Sequence, residues 1–239
     1  IRDRVVEMRD IMKIMSINAG SSSLKFSLFN MDTKEVLLSG LFERIGIEGS
    51  CYTLEYGEYK IKNEALMETH LDAVKILMDK LLELKIVNSL EEIDGIGHRI
   101  VHGGAIYKES VVVTDKVLDD IIALSDLAPL HNPAHAMCIK AFREVLPNTP
   151  MVVVFDTAFH QTIEKDRFLY PVPYNWYTDY QVRKYCAHGT SHRYVAKKLQ
   201  EELGRDDLNI ISCHLGNGGS ITAISCGKCV DTSMGSVSY

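Results

Sequence analysis

The chain has no apolar run near the roughly 18 residues that a membrane-spanning helix needs, and no block of lysine and arginine. The first absence argues against a bilayer span. Residues 1–10 are too charged for the apolar core of a signal peptide, so a cytoplasmic protein is predicted. The second absence, with 26 Lys+Arg against 32 Asp+Glu and a net charge of −6, argues against nucleic acid as a partner. It still leaves room for a local positive cluster around an anionic small molecule. Proline is scarce at 6 and tryptophan occurs once, while 46% hydrophobic and 24% charged residues exclude collagenous, disordered and low-complexity chains. The six cysteines, at 51, 138, 186, 213, 226 and 229, are scattered as reduced thiols are, not spaced as a disulfide framework. Cys226-Gly-Lys-Cys229 is the one close pair; a half zinc site or a redox pair are its alternatives, but the Gly-Lys between the thiols reads as a hairpin tip. At 239 residues the chain makes one large domain or two small ones with a real core.

Apolar periodicity orders the elements. Short runs predict strands at 13–18, 24–30 and 35–42, with a further strand within 51–62. Leu71, Val74, Leu77, Met78, Leu81 and Leu82 share one helical face, and an apolar strand around 93–101 follows. Helices are expected at 115–124 and 133–145, the second with Asn132 as N-cap and Pro133 in its first turn. The run Met151-Val-Val-Val-Phe155 reads as a strand buried on both faces. This order predicts an α/β fold with a mixed sheet covered by helices, ending near residue 160. Beyond it a tyrosine-rich stretch at 168–185, a helix at 191–203 and strands at 208–215 and 219–225 suggest a second start. The segments beginning at Ile17 and at Cys213 are both strand, small polar loop, strand, a weak internal repeat whose rival is chance likeness between Gly/Ser turns.

Several segments can carry chemistry. Asn18-Ala-Gly-Ser-Ser-Ser-Leu-Lys25 offers backbone N–H groups and hydroxyls at a sharp turn, as phosphate oxygens require. If a strand begins at Ser21, then Ser21, Ser23 and Lys25 share a face. The alternative is a solvent hairpin. His214-Leu-Gly-Asn-Gly-Gly-Ser220 has the same donor-rich character, and the pair suggests a clamped phosphate chain. Neither a P-loop nor a dinucleotide fingerprint occurs. Arg99, leaving a strand, suits a forked grip on a carboxylate or phosphate, against a surface ion pair. Asp156 closes the apolar strand where ligands of open α/β sheets gather; it can organise Mg²⁺ or a nucleophile, or simply cap a turn. His188 and His192 are four apart, but Gly189 and an N-cap at Thr190 or Ser191 place His188 before the helix, which argues against zinc and for an anion-facing His188. His131 and His135 are open between loop structure and site lining, His160 reads as structural, and no nucleophile–base pair favours a hydrolase.

Six blocks in one order resemble the acetate kinase family: Asn18-Ala-Gly-Ser-Ser-Ser-Leu-Lys-Phe26, Gly97-His-Arg-Ile-Val-His-Gly-Gly104, Ala128-Pro-Leu-His-Asn-Pro133, Val154-Phe-Asp-Thr-Ala-Phe-His160, His188-Gly-Thr-Ser-His192 and Cys213-His-Leu-Gly-Asn-Gly218. The resemblance implies the two-domain acetate/sugar kinase, Hsp70 and actin fold. It divides the chain into an extension at 1–11, an acyl-substrate and phosphate domain at 12–160, and the start of a nucleotide-binding domain at 161–239. It implies reversible transfer of the ATP γ-phosphoryl group to acetate, giving acetyl phosphate and ADP, with Mg²⁺ or Mn²⁺, in a cytoplasmic homodimer without nucleic-acid or membrane partners. By position, Asn18 resembles the metal-site residue, and Ser21, Ser23 and Lys25 the first phosphate loop. Likewise Arg99 and His131 resemble substrate-site residues, Asp156 and His188 the catalytic pair, and His214, Leu215, Gly216, Asn217 and Gly218 the second phosphate loop. In-line transfer to an already ionised carboxylate needs alignment and charge neutralisation more than proton chemistry, which casts Asp156 as an organiser.

Three departures qualify the likeness. Gly219 stands where the family carries serine, residues 1–11 match no part of it, and the chain stops at Tyr239 after a divergent Ser236-Val-Ser-Tyr, ahead of the family's second arginine, adenosine pocket, metal-site glutamate and closing helix. The expectation is an N-terminal portion with little kinase activity by itself. The rivals are a propionate or butyrate kinase, an actin-like or Hsp70-like ATPase, and an inactive fragment; Arg99 argues against the ATPase switch, which has no use for a carboxylate-binding arginine.

Overall fold

The computed structural model describes residues 11–235. Contacts divide the chain into two compact units, Ile1–Gly97 with Lys140–Met151, and His98–Ile139 with Val152–Tyr239. The first unit opens with an antiparallel meander of β1 (Lys13–Ala19), β2 (Ser23–Asn30) and β3 (Val36–Glu43). The expected fourth strand is a hairpin, β4 (Cys51–Tyr56) and β5 (Tyr59–Glu64), because Gly57, at a φ of 54°, turns the chain in mid-segment. Period-2 alternation sends Met15, Ile17, Leu24, Phe26, Leu28, Leu38, Phe42 and Leu54 to one buried face. The helix α1 (His70–Glu83) packs on β2 through its apolar stripe of Val74, Leu77, Met78 and Leu81, and a reciprocal capping box between Thr69 and Asp72 starts it. Strand order in this unit is β5-β4-β3-β2-β1, with β6 (Gly95–Ile100) beside β1.

β6 carries the chain into the second unit. There follow the two-residue β7 (Val111–Val112), α2 (Asp115–Ala123), α3 (Asn132–Val145), whose last turns return to the first unit, and β8 (Met151–Phe155). β8 lies between β6 and β7. Ile96 N–H donates to the Pro150 carbonyl and Asp156 N–H to the Ile100 carbonyl, each at 2.9 Å, so β6 and β8 run parallel. β8 is fully buried only at alternate positions, Met151, Val153 and Phe155, with Val152 and Val154 half-buried, so one of its two faces is less covered than its composition suggested. Asn132 also departs from expectation. It does not cap α3: its side chain, wholly buried, is bonded to the backbone of His102, accepting from the N–H at 3.3 Å and donating to the carbonyl at 3.0 Å.

Short helices α4 (Lys165–Phe168) and α5 (Asn175–Tyr180) lead to α6 (Gly189–Leu203). A second antiparallel meander closes the described chain: β9 (Asn209–Leu215), β10 (Gly219–Ser225) and β11 (Lys228–Thr232). The hairpin tip is Cys226-Gly227, both at positive φ, one residue earlier than the Gly-Lys expected. Cys226 is exposed and Cys229 buried beside His160, whose Nδ1 is 3.0 Å from its sulfur, so the C-x-x-C pair points two ways. No described helix is long and apolar enough to cross a membrane.

Candidate functional site

In the first unit the β1–β2 hairpin turns through Ser21 and Ser22, and Gly20 N–H donates to the Ser23 carbonyl at 2.8 Å. The strand therefore begins at Ser23, not Ser21, which leaves Ser21 in the turn rather than on the Lys25 face. Asn18 and Lys25 are cross-strand partners, so these two side chains share a face with Ser23. His70, buried at the start of α1, bonds the Gly20 carbonyl through Nε2 at 2.8 Å and pins the turn to the helix. Sequence reasoning missed this histidine, because nothing in its helical stripe marks it off from a core residue.

In the second unit the parallel β6–β8 pair brings Arg99 and Asp156 together at its carboxyl end. Arg99 Nε–H donates to Asp156 Oδ2 at 2.7 Å, and Thr190 Oγ1–H donates to Asp156 Oδ1 at 2.7 Å. Asp156 is 2% exposed, and burial pushes its carboxyl above the usual range, against the opposing pull of Arg99, Thr190 and His131. Behind it, Gly189 N–H donates to the Asp156 carbonyl at 2.9 Å, and a Cβ at Gly189 would overlap that same oxygen, so only glycine opens α6 here. Neither Thr190 nor Ser191 caps α6. His188 occupies the N-cap position with no capping bond; Thr190 is spent on Asp156, and Ser191 Oγ on His214 Nδ1 at 2.9 Å.

His131, half-buried, lies within the field of Arg99 and Asp156; burial and then Arg99 lower its pKa. The rings of His188 and His214 lie at a 31° tilt with centroids 4.0 Å apart, and burial, His214 and Arg99 lower the pKa of His188, which leaves it neutral at pH 7. Arg99, His131, Asp156, His188 and His214 thus form one group within the second unit. The second loop, Leu215 to Gly219, is the β9–β10 turn; Leu215, Gly216 and Asn217 are exposed and Gly218 half-buried. His192, expected to point away from His188, bonds the same Ser220 hydroxyl, a convergence that helical spacing could not show because the shared atom belongs to β10.

Magnesium bound with a nucleotide keeps its waters and the phosphate oxygens and asks for only one or two protein oxygens. The donors on the first hairpin fit that demand: Asn18 offers an amide oxygen beside the hydroxyl of Ser23 and the ammonium of Lys25. Among the described residues no three His, Cys, Asp or Glu side chains gather as a dedicated metal cage. Both oxygens of Asp156 already accept hydrogen bonds, so its first duty is to hold Arg99.

An arginine fixed at the carboxyl end of parallel strands, with histidines beside it, marks a class: α/β proteins whose ligand position lies at the strand ends. Solved structures give that class its fold. The Porphyromonas gingivalis acetate kinase aligns with a TM-score of 0.91 at 40% identity, covering 95% of this chain and 58% of its own. The propionate kinase of Francisella tularensis gives 0.89 at 42% identity, over 95% of this chain and 58% of its own. Over residues 13–238 the sequence matches the acetokinase family, and the chain belongs to that family. The acetate kinases of Anoxybacillus flavithermus and a Geobacillus species are 56% and 55% identical over 225 residues. That stretch is 93% of this chain and 57% of each relative's length.

Proposed function

We propose that the chain forms the acyl-phosphate side of an acetate kinase, which transfers the γ-phosphoryl group of ATP to acetate and runs reversibly to acetyl phosphate and ADP. The observation that carries this reading is the Arg99–Asp156 pair. A carboxylate nucleophile needs no base, so a buried acidic residue beside it is best spent on aiming the cation that binds it. Asp156 takes the Nε–H of Arg99 at 2.7 Å. The guanidinium's other N–H groups sit on its Nη nitrogens, the edge suited to a two-bond grip on acetate. His188, neutral, supplies an N–H rather than a second cation to the moving phosphoryl oxygens, with His131 and His214 lining the site. Ser21, Ser23 and Lys25 on the first hairpin are donors suited to nucleotide phosphate oxygens, and so, on the second, are residues 214–218.

Asn18 would hold the Mg²⁺ or Mn²⁺ of the nucleotide through its amide oxygen, and the ion would supply charge to offset the phosphates. The chain's own residues align the carboxylate, exclude water around Asp156 and place donors on the phosphoryl group. The whole protein acts as a cytoplasmic homodimer in which residues 12–160 hold the acyl substrate and residues from 161 begin the nucleotide domain.

Ligand-observed NMR with [¹³C]acetate tests the reading. The 239-residue chain should bind acetate, and Arg99→Leu should abolish binding without unfolding the chain; unchanged binding in that variant overturns the assignment. Turnover by this chain alone is expected far below the ~1–100 s⁻¹ of kinases. Acetate and propionate differ by one methylene, about 1–3 kcal/mol, so the ratio of their affinities measures the pocket directly.

A further inference from the structure

Two histidines and two serines form one hydrogen-bonded chain behind the site. Ser220 Oγ is 2.9 Å from His188 Nδ1 and 2.7 Å from His192 Nε2, and His192 Nδ1 is 2.8 Å from Ser212 Oγ. His192 is wholly buried, and Ser220 and Ser212 are buried with it, so water does not compete for these bonds. Burial, His214 and His188 hold His192 at about 4, which leaves it neutral at pH 7 with a single ring N–H.

A serine hydroxyl carries one hydrogen. The Ser220 hydroxyl can therefore donate to only one of the two rings, and a neutral ring that receives its hydrogen carries its own on the other nitrogen. When His192 donates Nε2–H to Ser220 and Ser220 passes its own hydrogen to His188 Nδ1, the hydrogen of neutral His188 is on Nε2. In the opposite direction His188 donates from Nδ1, and Nε2 presents a lone pair. Only the first direction gives His188 a donor on the nitrogen that Ser220 leaves for a ligand. A lone pair aimed at an anionic oxygen is repulsive.

We propose that Ser220 and His192 are positioning residues that set the tautomer of His188, keeping its hydrogen on Nε2, where it meets an anionic phosphoryl oxygen. The chain runs in one sense: Ser212 O–H to His192 Nδ1, His192 Nε2–H to Ser220 Oγ, Ser220 O–H to His188 Nδ1. No charge is created along it, so a buried, neutral relay delivers an oriented donor without the desolvation cost of an imidazolium. The inference rests on the reading of His188 as the phosphoryl-facing histidine.

The test is a two-bond ¹H–¹⁵N correlation spectrum of the full 239-residue chain labelled on its histidine ring nitrogens, read at pH 7 without turnover. His188 and His192 are both expected as Nε2–H tautomers, and finding His188 as Nδ1–H overturns the proposal. In Ser220→Ala, His188 should become a mixture of tautomers and bind acetyl phosphate about tenfold more weakly, the worth of roughly one hydrogen bond. His192→Gln, whose amide N–H reaches the place of Nε2–H, should restore the single tautomer that His192→Leu loses. A folded Ser220→Ala with its His188 tautomer unchanged also overturns the proposal, and if that variant does not fold, the unmodified chain's spectrum still decides. His188→Ala binding acetyl phosphate at full strength would instead overturn the reading of the site, while leaving the tautomer assignment measurable through His192 and Ser220.

Discussion

The two meanders, β1–β2–β3 and β9–β10–β11, follow the same path and bury opposite chemistry. In the first, alternation hides Met15, Ile17, Leu24, Phe26, Leu28 and Leu38, while Ser16, Asn18, Ser23, Lys25, Ser27 and Ser39 lie on the more open face. In the second, the hidden face holds Ser212, Ser220, Thr222 and Thr232 among Ile210, Ile224 and Cys229, while Ile211, Leu215 and Ile221 are exposed. The first is an ordinary hydrophobic sheet face whose polar surface and turn are available for ligands. The second spends its interior on hydroxyls that bond histidines, which yields less apolar burial per strand and ties its packing to the protonation of those rings.

Removing one ring from the first meander should have the largest effect. Phe26 is 1% exposed and stacked at a tilt on Phe42, with centroids 6.1 Å apart. Phe26→Ala should therefore cost about 3–5 kcal/mol in urea unfolding. In the second meander, Thr222 Oγ1 and Thr232 Oγ1 share a hydrogen bond of 3.0 Å, both buried. Thr222→Val alone should cost about 1 kcal/mol, because Thr232 Oγ1 then keeps only a long 3.5 Å bond to the Ile221 carbonyl, and the double change to valine should recover most of it by removing that poorly satisfied hydroxyl. A Thr222→Val loss as large as that of Phe26→Ala would break the contrast.

Acid separates the two regions next. Burial lowers His98 and His160 to about 3 and His192 to about 4, from an ordinary value of 6.5, and all three lie in the second unit. Each ring is neutral when folded and takes up a proton once unfolded below pH 6.5, so stability is complete above that pH and is lost as pH falls towards 4. Each contributes up to about 1.4 kcal/mol per pH unit across that window. Asp156, whose carboxyl is raised, opposes this only from its ordinary 3.8 upward to its folded value. Hydrogen exchange at pH 4.5 should therefore show protection falling in β9–β11 before β1–β3; simultaneous loss would mean that the buried histidines do not set the acid limit.

How much of this was written plainly in the sequence differs between the same two regions. The first meander, α1 and β8 follow from period and composition, since apolar residues at spacing 2 or 3.6 have one place to go. The repeat of the two hairpins, legible only weakly, is real in topology: strand, tight turn, strand, third strand. Arg99 and Asp156 were legible as strand-end residues, but their bond to each other was not, because it joins positions 57 apart through the pairing of β6 with β8. Asn132, Thr190 and Ser191 illustrate the general limit. Each has the residue type of a helix cap and stands at a helix start, yet each is drawn off by a tertiary partner: His102, Asp156 and His214 respectively. Local propensity ranks what a side chain does when nothing better is near, and at this site something better is near.

The smallest effect on stability concerns the exposed face of the second meander. Ile211 is 68% exposed, Leu215 79% and Ile221 47%, and register sets Ile221 opposite the exposed Cys213, so the four form one apolar patch. Exposed side chains lose little on substitution, and Ile211→Thr with Leu215→Ser should shift unfolding by less than about 0.5 kcal/mol. The same changes should lower self-association, because a contiguous apolar patch open to water drives contact between copies. Sedimentation of the chain with and without the two substitutions, at matched concentration, reads this directly. Equal association in both would assign self-contact to another surface; a stability loss comparable to Thr222→Val would show that the face is packed, and with it would fall the claim that the two meanders are inverted copies of one plan.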